Sequence, residues 1–186
     1  MTGVNDRNLA PAGFRFSPKD EDLVNLYLKK KAFGEQVPHN VIQDMDVFQN
    51  NPSFLPGGGK LFLDVKFGFN KTRRPVLVNM HEQIAAGLGY WRTEERTEKI
   101  IVYGNDKLIG IKNTFVFWEG NGTLQTKTKW VMHEFRLVNH TTLTMLKVSD
   151  WAVYRVFEDK IMGEEDSDEE PSTDDDDDDD DGTVVP

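Results

Sequence analysis

Residues 107–137 read KLIGIKNTFVFWEGNGTLQTKTKWVMHEFRL, three apolar-rich runs separated by glycine and asparagine. In the last run Val131, His133, Phe135 and Leu137 fall on one side of an extended chain, because successive side chains of a strand point to opposite faces. The spacing predicts β-strands and makes His133 a partly buried, hydrogen-bonded residue. Similar runs bounded by Gly, Asn and Asp recur at KLFLDVKF (60–67), PVLVN (75–79), GYWRT (89–93), KIIVYG (99–104) and WAVYRVF (151–157). No internal repeat and no alternating strand and helix series is present, so the sheet is read as antiparallel.

Upstream the period changes. SPKDEDLVNLYLKKKAFG (17–34) predicts a helix that Ser17 caps, with Pro18 in its first turn, Asp20 at the capping-box position and Gly34 as its stop. Leu23, Leu26, Tyr27 and the stem of Lys30 share its inner stripe. Residues 37–56 are mixed, with a short helix or turn around VIQDMDVF (41–48). Helices N-terminal to a run of strands give an α+β fold.

The 186 residues carry a formal charge of −10, but the acid is unevenly placed. Glu164 to Asp181 holds 14 acidic residues and no Lys or Arg, which leaves 22 basic against 18 acidic residues in 1–163, a net +4. A mildly basic body therefore bears an acidic tail. The absence of cysteine excludes disulfides and thiolate chemistry. No apolar run reaches the ~18 residues of a membrane span, and MTGVNDRNLAPAG lacks a signal-peptide core, so a soluble, intracellular chain is expected and the sequons at Asn70, Asn121 and Asn139 are coincidental.

Enzyme motifs fail on their details. PGGGKL (56–61) resembles a phosphate loop, but Phe54 stands at the first glycine position and Leu61 where Ser or Thr would bind magnesium. His133, Glu134 and His140 lack the spacing of a helical zinc motif. AGLGYW (86–91) lacks the third glycine of a dinucleotide fingerprint and precedes a strand. No catalytic, metal or cofactor residues are assigned.

Several blocks occur in an order with a clear likeness. APAGFRFSPKDEDLVNLYL (10–28), DVF (46–48) with NPSFLP (51–56), GYW (89–91), GIKNTFVFWEG (110–120), TKTKWVMHEFRL (126–137) and DWAVYRVF (150–157) resemble the plant NAC domain, the no-apical-meristem type of transcription factor. The resemblance spans about residues 10–160. It implies a twisted antiparallel sheet packed between helices, a nuclear protein, and a homodimer or a heterodimer with related NAC proteins. The dimer would form through Ala10, Pro11, Ala12, Gly13 and Phe14, with Arg15 and Asp22 pairing across it. It also implies double-stranded DNA as a partner, read by a strand in the major groove while neighbouring cations grip phosphates.

The reading strand departs from the family pattern. Where relatives carry GYWKATG followed by a small or polar residue, Asp and Lys, this chain reads GYWRTEERTE (89–98). Alternation places Arg92, Glu94, Arg96 and Glu98 on one face, plus next to minus, so they are expected to neutralise one another. Gln83 and Ile84 occupy the positions of an Asn-Arg pair whose arginine grips the DNA backbone, so an anchor is missing. The remaining candidate contacts are Arg92, Thr93, Arg96, Lys99, Lys127 and Lys129, with Arg73 and Arg74 from the KTRR turn and Glu94 as a reader of cytosine N4. Three outcomes stay open: altered base reading, binding that is largely lost, and weak binding near the family's usual site. A different class of function is a dimerising scaffold that acts through mixed dimers or through its acidic tail on basic partners.

The domain plan is then an arm (1–9), the NAC-type domain (10–160) and a tail (161–186). The tail has too little apolar surface to offset chain entropy, and disorder is expected. Tethered to a basic body, it would compete with DNA phosphates.

Overall fold

A computed structural model describes residues 15–38, 41–57, 64–78, 81–94, 97–102, 105–120, 124–141 and 144–160. The arm, Ala10 to Phe14, Glu95, Arg96 and the tail lie outside these residues.

Nine strands form one sheet: β1 Gln43–Asp44, β2 Lys66–Lys71, β3 Val76–Val78, β4 His81–Ala86, β5 Gly89–Thr93, β6 Glu98–Val102, β7 Lys107–Glu119, β8 Thr126–Thr141 and β9 Thr144–Glu158. Their order is β1-β2-β9-β8-β7-β5-β4-β3, with β6 also on β7. The expected antiparallel sheet needs one correction, because β1 pairs with β2 in parallel and the sheet is mixed. KLIGIK and TFVFWEG join into the single strand β7, since Asn113 between them is a ladder residue opposite Glu134. His81–Ala86, which has few β-branched residues, is a strand that the sequence pattern does not signal.

The connections require the sheet to curl. β2 and β3 stand six places apart in the order, ~29 Å across a flat sheet at ~4.8 Å per strand. Only residues 72–75 join them, a reach of at most ~18 Å. The two sides must bend toward each other, leaving a hollow face and an outer face.

Each face has its own core. Residues 45–55 plug the hollow: Val47, Phe48 and Leu55 pack with Ile84, Trp91, Phe117, Met132 and Tyr154. The plug touches both sides of the curl, through Asp46 to Asn70 and Arg73 and through Asn51 to the backbone N–H of Leu88. On the outer face Phe16, Leu23, Val24, Tyr27 and Leu28 pack on Ile100, Phe135, Leu137 and Val153.

Helix α1 runs continuously over 20–32, with a π-helical stretch Leu23–Leu28 between α-helical ends. Gly34 ends it as expected, at φ +72°, with its N–H bonded to Lys31 O at 3.3 Å and that of Glu35 to Lys30 O at 2.8 Å. Two details differ from the sequence reading. The cap position falls on Lys19, without a side-chain cap, and the carboxylate of Asp20 turns to the sheet instead. Leu26 is 46% exposed, because the wider turn puts Val24 and Leu28 inward in its place. The helix sits close to β7 at Gly110, where a Cβ would lie 2.9 Å from Val24 Cγ1. Among the described residues the sheet is thus packed between this one helix and an irregular plug with a 3-10 turn at Pro52–Phe54, not between several helices. Residues 41–48 form β1 and a turn.

Candidate nucleic-acid interface

β5 and β6 lie end to end along one edge of β7. Thr93 is paired with Phe115 and Glu98 with Lys112, so the ladder along β7 is interrupted between them, opposite Asn113 and Thr114. Glu94 N–H donates to Thr114 O at 3.3 Å and Thr97 Oγ1 to Asn113 Oδ1 at 2.8 Å, which holds the interruption to the sheet. Register places Arg92 with Val116 and Glu98 with Lys112, all on the outer face.

Among the described residues, Glu94 and Glu98 find cations on other strands. Lys127 Nζ donates to Glu94 Oε2 at 2.9 Å, reaching across from β8. Lys112 Nζ sits 2.9 Å from Glu98 Oε1 and 3.3 Å from Asp20 Oδ2, so one ammonium joins β6, β7 and α1. Burial pulls the Lys112 pKa down, but the bonds and charges of Glu98 and Asp20 outweigh it and raise the value. Asp20 also pairs with Arg155 of β9 at 3.0 Å. Glu94, Glu98, Lys112, His133, Phe157 and Asp159 border a cavity of about 250 Å³ beside this cluster.

Arg92 is engaged elsewhere. Its guanidinium stacks 5.1 Å from the Trp118 ring centre and contacts His81 Nε2 on β4. Thr93 Oγ1 lies 3.5 Å from Glu82 O. Arg73 Nη2 donates to both carboxylate oxygens of Asp46, at 2.8 and 3.1 Å, and the guanidinium stacks on Phe48, so it braces the plug. Arg74, Lys99 and Lys129 are exposed and make no ion pair among the described residues. Ile84 is 5% exposed and faces Trp91 in the hollow, so this position carries core packing.

Behind the interface lies a polar group that the sequence does not reveal. Glu134, wholly buried in the hollow, accepts bonds from Tyr154 Oη at 2.8 Å, Asn113 Nδ2 at 3.0 Å and Arg136 at 2.8 Å. Burial, and then the facing Glu134 charge, push the Tyr154 hydroxyl pKa far up. On the other face Arg155 donates to His133 Nδ1 at 2.7 Å, and burial followed by the charges of Arg155 and Lys112 lowers the His133 pKa to about 4, against a smaller pull from Asp20. His133 is the satisfied histidine that the alternation predicts. Lys112, His81, Trp118, Glu134 and Tyr154 carry no local signal, because only strand register brings each to its partner.

A comparison with known families decides the affiliation: the family described as "No apical meristem (NAM) protein" matches residues 11–137. The chain belongs to that family. Among curated relatives, NAC domain-containing protein 83 of Arabidopsis thaliana is 33% identical over 157 residues, 84% of this chain and 61% of that protein. NAC domain-containing protein 2 of Solanum lycopersicum is 33% identical, over 86% of this chain and 59% of its own length. Protein ATAF2 of Arabidopsis thaliana is 35% identical, over 81% and 54%. The chain spans roughly six-tenths of the first two relatives' length. Among the described residues no helix is long and apolar enough to cross a membrane.

Proposed function

We propose that this NAC-type protein is a nuclear, dimeric, non-enzymatic regulator of transcription whose DNA-contacting surface is electrostatically muted. The Glu94–Lys127 pair carries the reading. A cation that would meet a phosphate instead holds a carboxylate, and each phosphate left without its cation takes about 0.9 off the salt slope of DNA binding. Among the described candidates Lys99 and Lys129 remain to meet phosphates, so binding is weak and its salt dependence shallow.

The dimer reading draws on Arg15 and Asp22. Neither has an ion-pair partner among the described residues of its own chain, and Arg15 is exposed just ahead of α1. A second copy supplies the opposite charge to each, and a related NAC protein would do the same in a mixed dimer. The muted surface also suits a second reading, a dimerising scaffold that silences a competent partner without binding DNA. Salt-titrated fluorescence anisotropy on a duplex bearing a NAC-type site separates them. A regulator shows specific binding at low salt; a scaffold shows none.

A further inference from the structure

β3 is the end of the strand order and, among the described residues, pairs only with β4. Its three residues are apolar and open, Val76 66%, Leu77 70% and Val78 40% exposed. A bare apolar edge is a template for another strand, and soluble proteins normally protect such edges with charge, proline or a covering segment. Here protection stops at Pro75, and the residues just before it are basic: Lys71, Arg73 and Arg74. Arg74 makes no ion pair among the described residues. The edge thus presents cations first and then β-forming apolar side chains.

One segment of the same chain has the complementary order. Residues 178–185 read DDDDGTVV, acid first and then β-branched apolar residues. Laid parallel to β3 with Gly182 beside Pro75, Asp181 meets Arg74, and Asp180 lies beside Arg73, whose guanidinium already pairs with Asp46. Thr183, Val184 and Val185 then lie beside Val76, Leu77 and Val78. Antiparallel pairing would carry the aspartates past the other end of β3, away from the arginines, so charge selects the parallel direction. Asp178 is 18 residues beyond Lys160, a reach of up to ~60 Å, ample for a body roughly 40 Å across. Tethering of this kind gives effective concentrations near the millimolar range, so a weak strand pair is populated.

We infer that residues 178–185 dock on β3 as an added parallel strand of this chain, with the aspartates on the Arg73–Arg74 turn. The tail then protects the sheet edge from other chains. This does not depend on DNA binding.

Hydrogen exchange on the full chain tests it by comparing the unmodified protein with V184D/V185D, substitutions that leave the packed body untouched. The outward amides of β3 should exchange roughly tenfold faster in the variant, at any protein concentration. Arg74→Glu should produce the same loss, and high salt should weaken the protection. Equal exchange in the two proteins would overturn the assignment. Protection that grows with protein concentration and persists in V184D/V185D would also overturn it, because a second copy would then be the cover.

Discussion

Lys127 and Glu94 meet at 2.9 Å although β8 and β5 are not neighbours; β7 runs between them. The lysine side chain is 35% exposed and that of the glutamate 26%, so the pair contributes at most about 1 kcal/mol to stability. Its consequence lies in what it denies to a polyanion. Alternation alone puts the neutralising partners along the reading strand itself, whereas the described partners come from β8, β7 and α1.

The Lys112 ammonium shows why restoring a family lysine is not a simple gain. Glu98→Lys sets a second cation against Lys112, whose side chain is only 14% exposed, and among the described residues leaves it an ion pair with Asp20 alone. Glu98→Lys should lower the melting temperature by a few degrees, consistent with a loss of about 1 kcal/mol, and Glu98→Gln by less. Thermal unfolding followed by circular dichroism checks the order. Equal melting temperatures for the two variants would remove the clamp from the account.

Glu134 should dominate the stability of the hollow. Glu134→Ala leaves the Tyr154 hydroxyl and the Asn113 amide without their acceptor in the hollow and is expected to cost about 1 to 3 kcal/mol for each buried donor left unsatisfied. Tyr154→Phe removes one bond to a buried acceptor and should cost about 1 to 3 kcal/mol. Denaturant unfolding gives both values, and a neutral Tyr154→Phe would mean that the 2.8 Å bond contributes nothing net.

Acid should loosen the fold through His133. Its folded pKa of about 4 lies below the ordinary 6.5, so between these values the unfolded chain binds the proton and the native one does not. The contribution is complete above pH 6.5 and is lost as pH falls toward 4, up to roughly 3 kcal/mol. His133→Gln keeps an acceptor for Arg155 without titrating, so its stability curve should be flatter across that window. Parallel curves for the two proteins would contradict the assignment.

Assembly should respond to charge at the start of α1. The unmodified chain is expected to be a dimer at tens of micromolar, Arg15→Glu to shift toward monomer, and Arg15→Glu with Asp22→Arg to recover the dimer by exchanging the signs. Light scattering reports all three. A monomeric unmodified chain, or a swap that fails to recover, would count against pairing across a two-fold axis.

The legible parts of this protein are those governed by local pattern. Amphipathic spacing and Gly34 delimit α1, and alternation finds the central strands and the satisfied His133. Leu26 escapes the helical pattern because the π-helical stretch changes which positions face inward. His81–Ala86 is invisible to it because its strand character comes from pairing with β3 and β5 rather than from its own residues. The partners of Glu94 and Glu98 stay hidden for a related reason. Lys127 is 33 positions from Glu94 in sequence, and only the β5-β7-β8 register brings them together. Glu134 reads locally as one more charged residue on a strand until Asn113 and Tyr154 are placed in register on either side.

The central claim, that glutamates in the reading strand occupy cations that would otherwise meet phosphate, is tested most directly by salt-titrated anisotropy of the unmodified chain against Glu94→Thr on the same duplex. With Lys127 released, the account predicts tighter binding at low salt and a log-log salt slope steeper by about 0.9. Adding Glu95→Gly and Glu98→Lys, a charge change of +4 in all, should extend both trends. An unchanged slope, or a loss of sequence-specific binding in Glu94→Thr, would contradict the claim; the latter would identify Glu94 as a reader of bases.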